Sequence, residues 1–237
     1  MDTGCVEPSG LVDFFYRAGN ILRYRKGELV LHAEDDSAFI FYLESGFIKV
    51  YSTNDRGEEY ILMVYGPGEL FPLLWLPRKA RRNVHYQTLA PSTVLRARTE
   101  DLEAALREDA ALSFEMIELA TEQHGVFIDR INNLQYKFAR ERLVYYLLYL
   151  ARRFGNLVDG SYEIGLRISQ QVLASNINLS RESVGREMDR LERKGMVYLR
   201  GGHIVLKDIP ALIGELPGAS VSIDWWGLTQ PAPRKIS

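Results

Sequence analysis

The sequence predicts an α+β chain in three successive parts: a β-rich roll in front, one long helix in the middle, and a helix–turn–helix with a trailing hairpin behind. Three observations carry this. Short β-like runs broken by glycine turns crowd residues 21–98. After Thr99 the apolar period changes, and apolar residues recur at alternating steps of three and four through roughly 110–137. Farther on, two short helical segments follow each other closely and a glycine-centred hairpin ends the pattern.

The front runs are Phe39-Ile40-Phe41-Tyr42-Leu43, then Phe47-Ile48-Lys49-Val50-Tyr51, then Tyr60-Ile61-Leu62-Met63-Val64-Tyr65. Between them stand Glu44-Ser45-Gly46, Asn54-Asp55-Arg56-Gly57 and Gly66-Pro67-Gly68, turn chemistry at the spacing of a roll, barrel or sandwich. Thr99-Glu100-Asp101-Leu102 has the form of a capped helix start. In the long helix, Ile117, Ala120, His124, Phe127, Ile131, Leu134 and Phe138 outline a coiled-coil seam, and Leu112, Met116, Leu119, Gln123 and Val126 form a stripe beside it. Two such stripes suit a helix with a partner helix on one side and its own β-domain on the other. A single broad stripe buried within one subunit is the alternative. His124 can serve as the one polar residue that sets the register of such a seam.

A second helix spans about Ala139 to Phe154, and a β-like piece, Ser161 to Arg167, precedes Ser169. The next two helices are expected at Ser169–Asn176 and Ser180–Lys194, with a serine at each N-cap and Asn178, tolerant of left-handed backbone, in the turn. Met196–Leu199, the turn Arg200-Gly201-Gly202 and His203–Leu206 make the closing hairpin. Helix, tight turn, helix and hairpin in that order is a winged helix-turn-helix, a layout that sets its second helix into the major groove of double-stranded DNA. Arg181, Glu182 and Arg186 fall within the first two turns of that helix. Arginine matches the paired acceptors of guanine, and glutamate accepts from cytosine N4–H.

Charge supports the same division. The net charge is −2, yet Lys137–Lys207 holds 13 Lys+Arg against 7 Asp+Glu while the rest holds 16 against 24. An acidic front and a basic back assign any polyanion to the back. The single cysteine, Cys5, rules out a disulfide framework or a cysteine-ligated cluster within one chain. Residues 1–10 lack the basic start and apolar run of an export signal, and the longest apolar stretch, Leu143 to Ala151, is about half the ~20 residues a bilayer span needs. A cytoplasmic protein with no membrane contact is therefore expected.

The run Leu179-Ser180-Arg181-Glu182-Ser183-Val184-Gly185-Arg186 resembles the recognition helix of the cyclic-AMP receptor protein and fumarate-nitrate regulator (CRP/FNR) superfamily. So do Tyr24-Arg25-Lys26-Gly27-Glu28, Phe41-Tyr42-Leu43-Glu44-Ser45-Gly46, Gly66-Pro67-Gly68-Glu69-Leu70-Phe71 and Ala139-Arg140-Glu141-Arg142-Leu143. The resemblance covers about residues 20–208 and is specific as a set. It implies a cyclic-nucleotide-binding-like β-roll (jelly roll) sensor domain at 1–108, a dimerisation helix and hinge at 109–138, a winged helix-turn-helix at 139–216, and a tail of unassigned role at 217–237. It further implies a transcription regulator acting as a homodimer on a palindromic site with TGTGA-like half-sites, and contact with RNA polymerase. Arg181, Glu182 and Arg186 would read base edges, and Ser169, Gln170, Ser180 and Ser183 would contact phosphates or neighbouring bases.

The front half departs from the pattern. Members that bind cyclic nucleotides carry a Gly-Glu pair after the Gly-Pro-Gly-x-Leu-Phe run, the glutamate holding the ribose, and an Arg-Ser or Arg-Thr that holds the phosphate. Here Phe71-Pro72-Leu73-Leu74-Trp75 and Arg81-Arg82-Asn83 stand at those places, and Phe127 and Ile128 occupy the hydroxyl positions midway along the long helix. Arg82 and Asn83 retain some capacity for an anion, but Leu73 cannot accept from a ribose hydroxyl, and an unpaired buried polar group costs about 1–3 kcal/mol. These departures argue against cyclic-AMP control. An effector pocket bounded by Leu73, Arg82, Asn83 and Phe127 leaves three readings open: a closed pocket, one for an apolar ligand or haem (candidate ligands His32, His85 and His124), or an inherited core with no sensing role. No cofactor or metal is expected, with haem and cyclic nucleotide left open. An enzyme is disfavoured because no phosphate-cradling glycine loop, metal-spaced His/Cys set or nucleophile elbow is present. A pure ligand-binding scaffold leaves Arg181, Glu182 and Arg186 without a role.

Overall fold

The structure, a computed structural model, describes residues 10–35, 38–73 and 83–217. Helix α1 (Leu11–Ala18) leads into β1 (Asn20–Tyr24), β2 (Leu29–Leu31), β3 (Phe39–Ser45), β4 (Ile48–Thr53), β5 (Glu59–Tyr65), β6 (Leu70–Phe71), β7 (His85–Thr88) and β8 (Ser92–Arg98). These strands form two four-stranded sheets, ordered β1-β8-β3-β6 and β2-β7-β4-β5. Helices α2 (Thr99–Glu108), α3 (Ala110–Gln135) and α4 (Ala139–Phe154) follow. The remainder is β9 (Gly155–Val158), β10 (Ser161–Ile164), α5 (Gln170–Ile177), α6 (Arg181–Arg193), β11 (Val197–Arg200), β12 (His203–Leu206) and α7 (Ile209–Gly214). The third sheet runs β11-β12-β10-β9. The chain groups into two units, one comprising residues up to Val50 and Val64–Gly125, the other Tyr51–Met63 and residues from Val126 onward.

In the first unit, antiparallel register sets Ile40 and Leu43, on opposite faces of β3, against Ala97 and Val94 of β8, all buried. Rings from both sheets meet between them. Phe71 lies 5.3 Å from Phe41, 5.3 Å from Tyr65 and 5.4 Å from Tyr86, and all four are buried. Burial raises the Tyr86 phenol well above its ordinary range. A second cluster, Leu11, Phe15, Ile40, Leu70, Leu95, Ala97, Leu102 and Leu112, joins α1, α2 and the start of α3 to β3, β6 and β8. Gly46 is a glycine of necessity: its φ is +92°, and a Cβ there would lie 2.2 Å from Ser92 Oγ and 2.6 Å from the Pro91 carbonyl oxygen.

In the second unit, α4 is buried continuously from Leu143 to Ala151, so the longest apolar run of the sequence is the central helix of a small domain. The third sheet turns Val197, Leu206 and Tyr162 to one face in register, with Ile204 and Ile164 beside them, all buried. Helix α7 begins at Asp208, whose carboxylate accepts from the Ala211 N–H at 2.9 Å, and Pro210 sits where its missing N–H has no consequence.

Several sequence expectations shift. Thr99 is the first residue of α2 rather than its cap, and its N–H donates to the Ala38 carbonyl. The long helix stops at Gln135, so Phe138 is no longer on it. The break is held by side chains: Arg142 Nε donates to the Tyr136 carbonyl at 2.8 Å, and Glu141 accepts from the Phe138 N–H. Along α3 the exposed large apolar residues are Phe114, Ile117, Ile128 and Ile131, with exposed Thr121 and His124 between them. That is an unbroken three–four spacing. Ile117, His124 and Ile131 belong to the expected seam, whereas Ala120, Phe127 and Leu134 are half-buried and flank it. Of the adjacent stripe, Leu112, Gln123 and Val126 are buried, and Met116 and Leu119 pack on the first unit's core.

Leu147 is fully buried at the centre of α4. Leu147→Ala is expected to lower the unfolding free energy by about 2–5 kcal/mol, the usual range for removing a core leucine, read from denaturant melts followed by circular dichroism.

Candidate functional site

Local chemistry sets the geometry of the helix pair α5–α6. Ser169 caps α5, its hydroxyl accepting from the Val172 N–H at 3.3 Å. The helix ends at Asn178 in left-handed backbone (φ 53°, ψ 51°), and the N–H groups of Asn178 and Leu179 both turn back to the Ala174 carbonyl. Ser180 then caps α6 by accepting from the Ser183 N–H at 3.1 Å. Leu173, Ala174 and Ile177 of α5 and Val184, Met188 and Leu191 of α6 are buried, so one face of each helix goes into the core and the other stays free.

The free face of α6 carries the predicted residues. Arg181, Glu182 and Arg186 are exposed, and Ser183 is half-buried. Ser183 Oγ lies 3.0 Å from Ser180 Oγ and accepts from Arg186 Nη2 at 3.2 Å, which holds that guanidinium along the helix. Among the described residues neither Arg181 nor Arg186 forms an ion pair with a carboxylate. Glu182, in the first turn, sits favourably at the positive end of the helix dipole. Ser169 and Gln170 are exposed. The Gln170 Oε1 would stand 3.3 Å from a Cβ placed on Gly185, so the start of α5 leans against the exposed face of α6. All seven residues expected to face DNA thus lie on one helix pair within one unit.

Of the expected effector residues, Leu73, Asn83 and Phe127 are among those described. Leu73 packs, half-buried, on the cluster of α1, α2 and α3 in the first unit. Asn83 is exposed. Phe127 is half-buried and falls in the second unit. Arg82, Leu74 and Trp75 lie outside the described residues, as do Cys5 and the tail with Trp225 and Trp226. His32 and His85 meet edge to face with centroids 6.0 Å apart, and His124 Nδ1 lies 3.0 Å from the Ala120 carbonyl of its own helix. Among the described residues no group of three or more His, Cys, Asp and Glu could hold a metal ion, and no helix is long and apolar enough to cross a membrane.

Sequence reasoning missed a set of buried polar ties in the second unit. Asp129, 6% exposed, accepts from Tyr145 Oη at 3.1 Å and from Arg152. Asn133 Nδ2 donates to the Arg142 carbonyl at 2.7 Å. Arg130 Nη1 donates to the carbonyl of buried Asn176 at 2.9 Å, and burial lowers the Arg130 pKa. These bonds fasten the last turns of α3 to α4 and to α5. A signal was available: the stripe Leu112–Val126 continues through Asp129 and Asn133 at helical spacing, and polar residues on a buried stripe need partners. A second missed pair is Arg167 with His203, at the turn end of the hairpin.

Two family models match the chain: the cyclic nucleotide-binding domain over residues 21–109 and the Crp-like helix-turn-helix domain over residues 141–214. The HTH-type transcriptional regulator ArcR of Staphylococcus haemolyticus is 25% identical over 194 residues, covering 82% of this chain and 85% of that protein. The global nitrogen regulator of Synechocystis is 26% identical over 220 residues, covering 90% and 98%. The solved structure of FixK2 from Bradyrhizobium japonicum is similar with a TM-score of 0.74 at 20% identity, spanning 86% of this chain and all of that one, a likeness of fold. With a nucleotide-binding-type β-domain ahead of a Crp-like helix-turn-helix, and relatives aligned along most of their length, the chain belongs to the CRP/FNR superfamily of transcription regulators.

Proposed function

We propose that the chain regulates transcription as a homodimer that reads a palindromic DNA site with TGTGA-like half-sites, without control by cyclic AMP. The observation that carries this is the capped, exposed face of α6, where Arg181 and Arg186 stand beside Glu182 with no carboxylate partner among the described residues. Arginine aligned along such a helix reaches guanine O6 and N7, and Glu182 accepts from cytosine N4–H. Ser169, Gln170, Ser180 and Ser183, on the same helix pair, would contact phosphates or neighbouring bases. Two copies related by a two-fold axis would place their α6 helices about 34 Å apart, one turn of DNA.

The dimer reading rests on the exposed row Phe114, Ile117, Ile128 and Ile131, whose spacing is that of a coiled-coil seam with Thr121 and His124 as its polar centre. Independence from cyclic AMP rests on Leu73, an apolar side chain packed on the core where a ribose acceptor would be needed. Contact with RNA polymerase and a cytoplasmic location belong to the same reading, and it includes no catalytic role. The match of residues 21–109 to a cyclic nucleotide-binding domain favours one second reading, an effector-gated sensor of the same family.

Three outcomes are expected. Arg186→Ala should weaken binding to a TGTGA-type palindrome by about 1–3 kcal/mol and relax preference at one base position, measured by fluorescence anisotropy on single-base variants. Unchanged affinity and preference would remove the assignment. Ile128→Glu, at a site 59% exposed in the single chain, should leave the fold intact and convert dimers to single subunits in sedimentation runs, with duplex affinity falling more than about tenfold as avidity is lost. Calorimetric titration with cyclic AMP should give no binding heat; tight binding there would establish the effector-gated reading instead.

A further inference from the structure

Arg167 stands between the hairpin and the helix pair without a role in the assignments above. It is exposed, two residues ahead of the α5 cap Ser169. We propose that Arg167 contacts a duplex phosphate beside the turn of the hairpin, and that His203 is the residue that positions it there. The inference rests on the DNA-binding reading of α6.

The hydrogen bonding of His203 is fully specified by its neighbours. Its Nδ1 lies 2.9 Å from the Ile164 carbonyl oxygen, which can only accept, so Nδ1 carries the proton. Its Nε2 lies 3.1 Å from Arg167 Nε, which can only donate, so Nε2 presents its lone pair. Both contacts hold together only in the neutral imidazole with the proton on Nδ1. Strand β10, through Ile164, therefore orients the ring, and the ring orients the guanidinium. Gly202, at φ +86° in the hairpin turn, lies beside the Arg167 side chain: a Cβ there would make ordinary contact with Arg167 Cδ at 3.7 Å.

This arrangement leaves the charge available. Among the described residues the one hydrogen bond of Arg167 goes to a neutral ring through Nε, and both terminal nitrogens of the guanidinium have no partner there. Arg200, the cross-strand neighbour of His203, differs in having the Glu163 carboxylate 3.9 Å away. Arg167 is also placed where a duplex on α6 would pass. The chain runs from it through Ser169 to Gln170, which leans on Gly185 between Glu182 and Arg186. The hairpin turn lies against Arg167, Arg167 stands three residues ahead of Gln170, and Gln170 lies against α6. A planar, pre-oriented guanidinium there suits bidentate capture of a phosphate.

The test is duplex binding by the full chain across a salt series, for Arg167→Ala, His203→Ala, the double variant, His203→Gln and Arg186→Ala, with thermal melts to verify folding. Arg167→Ala should lower affinity roughly three- to tenfold on every duplex alike, leave base preference unchanged, and reduce the salt slope by about one. His203→Ala should give part of that loss and add nothing once Arg167 is alanine, because it acts through Arg167. His203→Gln, which keeps an acceptor, should restore most of it and carries the test if His203→Ala proves unstable. A neutral Arg167→Ala in a protein that still responds to Arg186→Ala would overturn the phosphate contact. Additive losses in the double variant would overturn the positioning role. If Arg186→Ala is itself neutral, the underlying reading of α6 fails first.

Discussion

At Asn178 the backbone enters the left-handed region, and two successive N–H groups fold back on one carbonyl, that of Ala174. Side chains with a branched or bulky Cβ resist that conformation, and asparagine accepts it. The turn fixes the angle between α5 and α6, and the angle is held by Leu173, Ala174 and Ile177 closing on Val184, Met188 and Leu191. Because one face of α6 is committed to this core, the opposite face is determined as well. Arg181, Glu182 and Arg186 are exposed for the same reason that Val184 and Met188 are buried. The serine caps act on the same unit. Each satisfies an N–H that a helix start leaves unpaired, and the Ser180 cap sets where the first turn of α6 begins.

The junction between the long helix and the C-terminal domain depends on a different kind of bond. Within the second unit, α3 meets α4 and α5 through Asp129, Arg130 and Asn133, each bonded to a partner on another element. An apolar seam tolerates small slips of one helix along another, whereas a buried carboxylate bonded to one phenol and one guanidinium does not. The same polar requirement ends α3: Glu141 and Arg142 take up the backbone groups exposed between Gln135 and Ala139.

The two halves handle apolar surface in contrasting ways. In the first unit, Phe41, Tyr65, Phe71 and Tyr86 fill the space between the sheets with stacked rings, and Leu73 continues into the cluster of α1, α2 and α3. Along α3, four large apolar side chains stay in solvent at regular spacing, a pattern that a single chain has no reason to maintain.

Much of this architecture was legible in the residues themselves. Period-two runs with glycine turns, a three–four helical repeat, two serine caps, Asn178 and the Gly201-Gly202 turn each express a local backbone preference, and local preferences survive folding. The exposed face of α6 followed from the same logic, since its capped start and apolar spacing leave only one side for the arginines. Long-range contacts decided the rest. Whether Phe127 or Ile128 faces outward depends on which side of α3 meets its own domain, and the repeat alone fits either choice. Asp129 with Arg152, Arg130 with Asn176, and Arg167 with His203 join residues 23, 46 and 36 positions apart. Such pairs leave no local periodicity, because a hydrogen bond across the fold depends on where two elements come to rest rather than on the spacing of residues within either one.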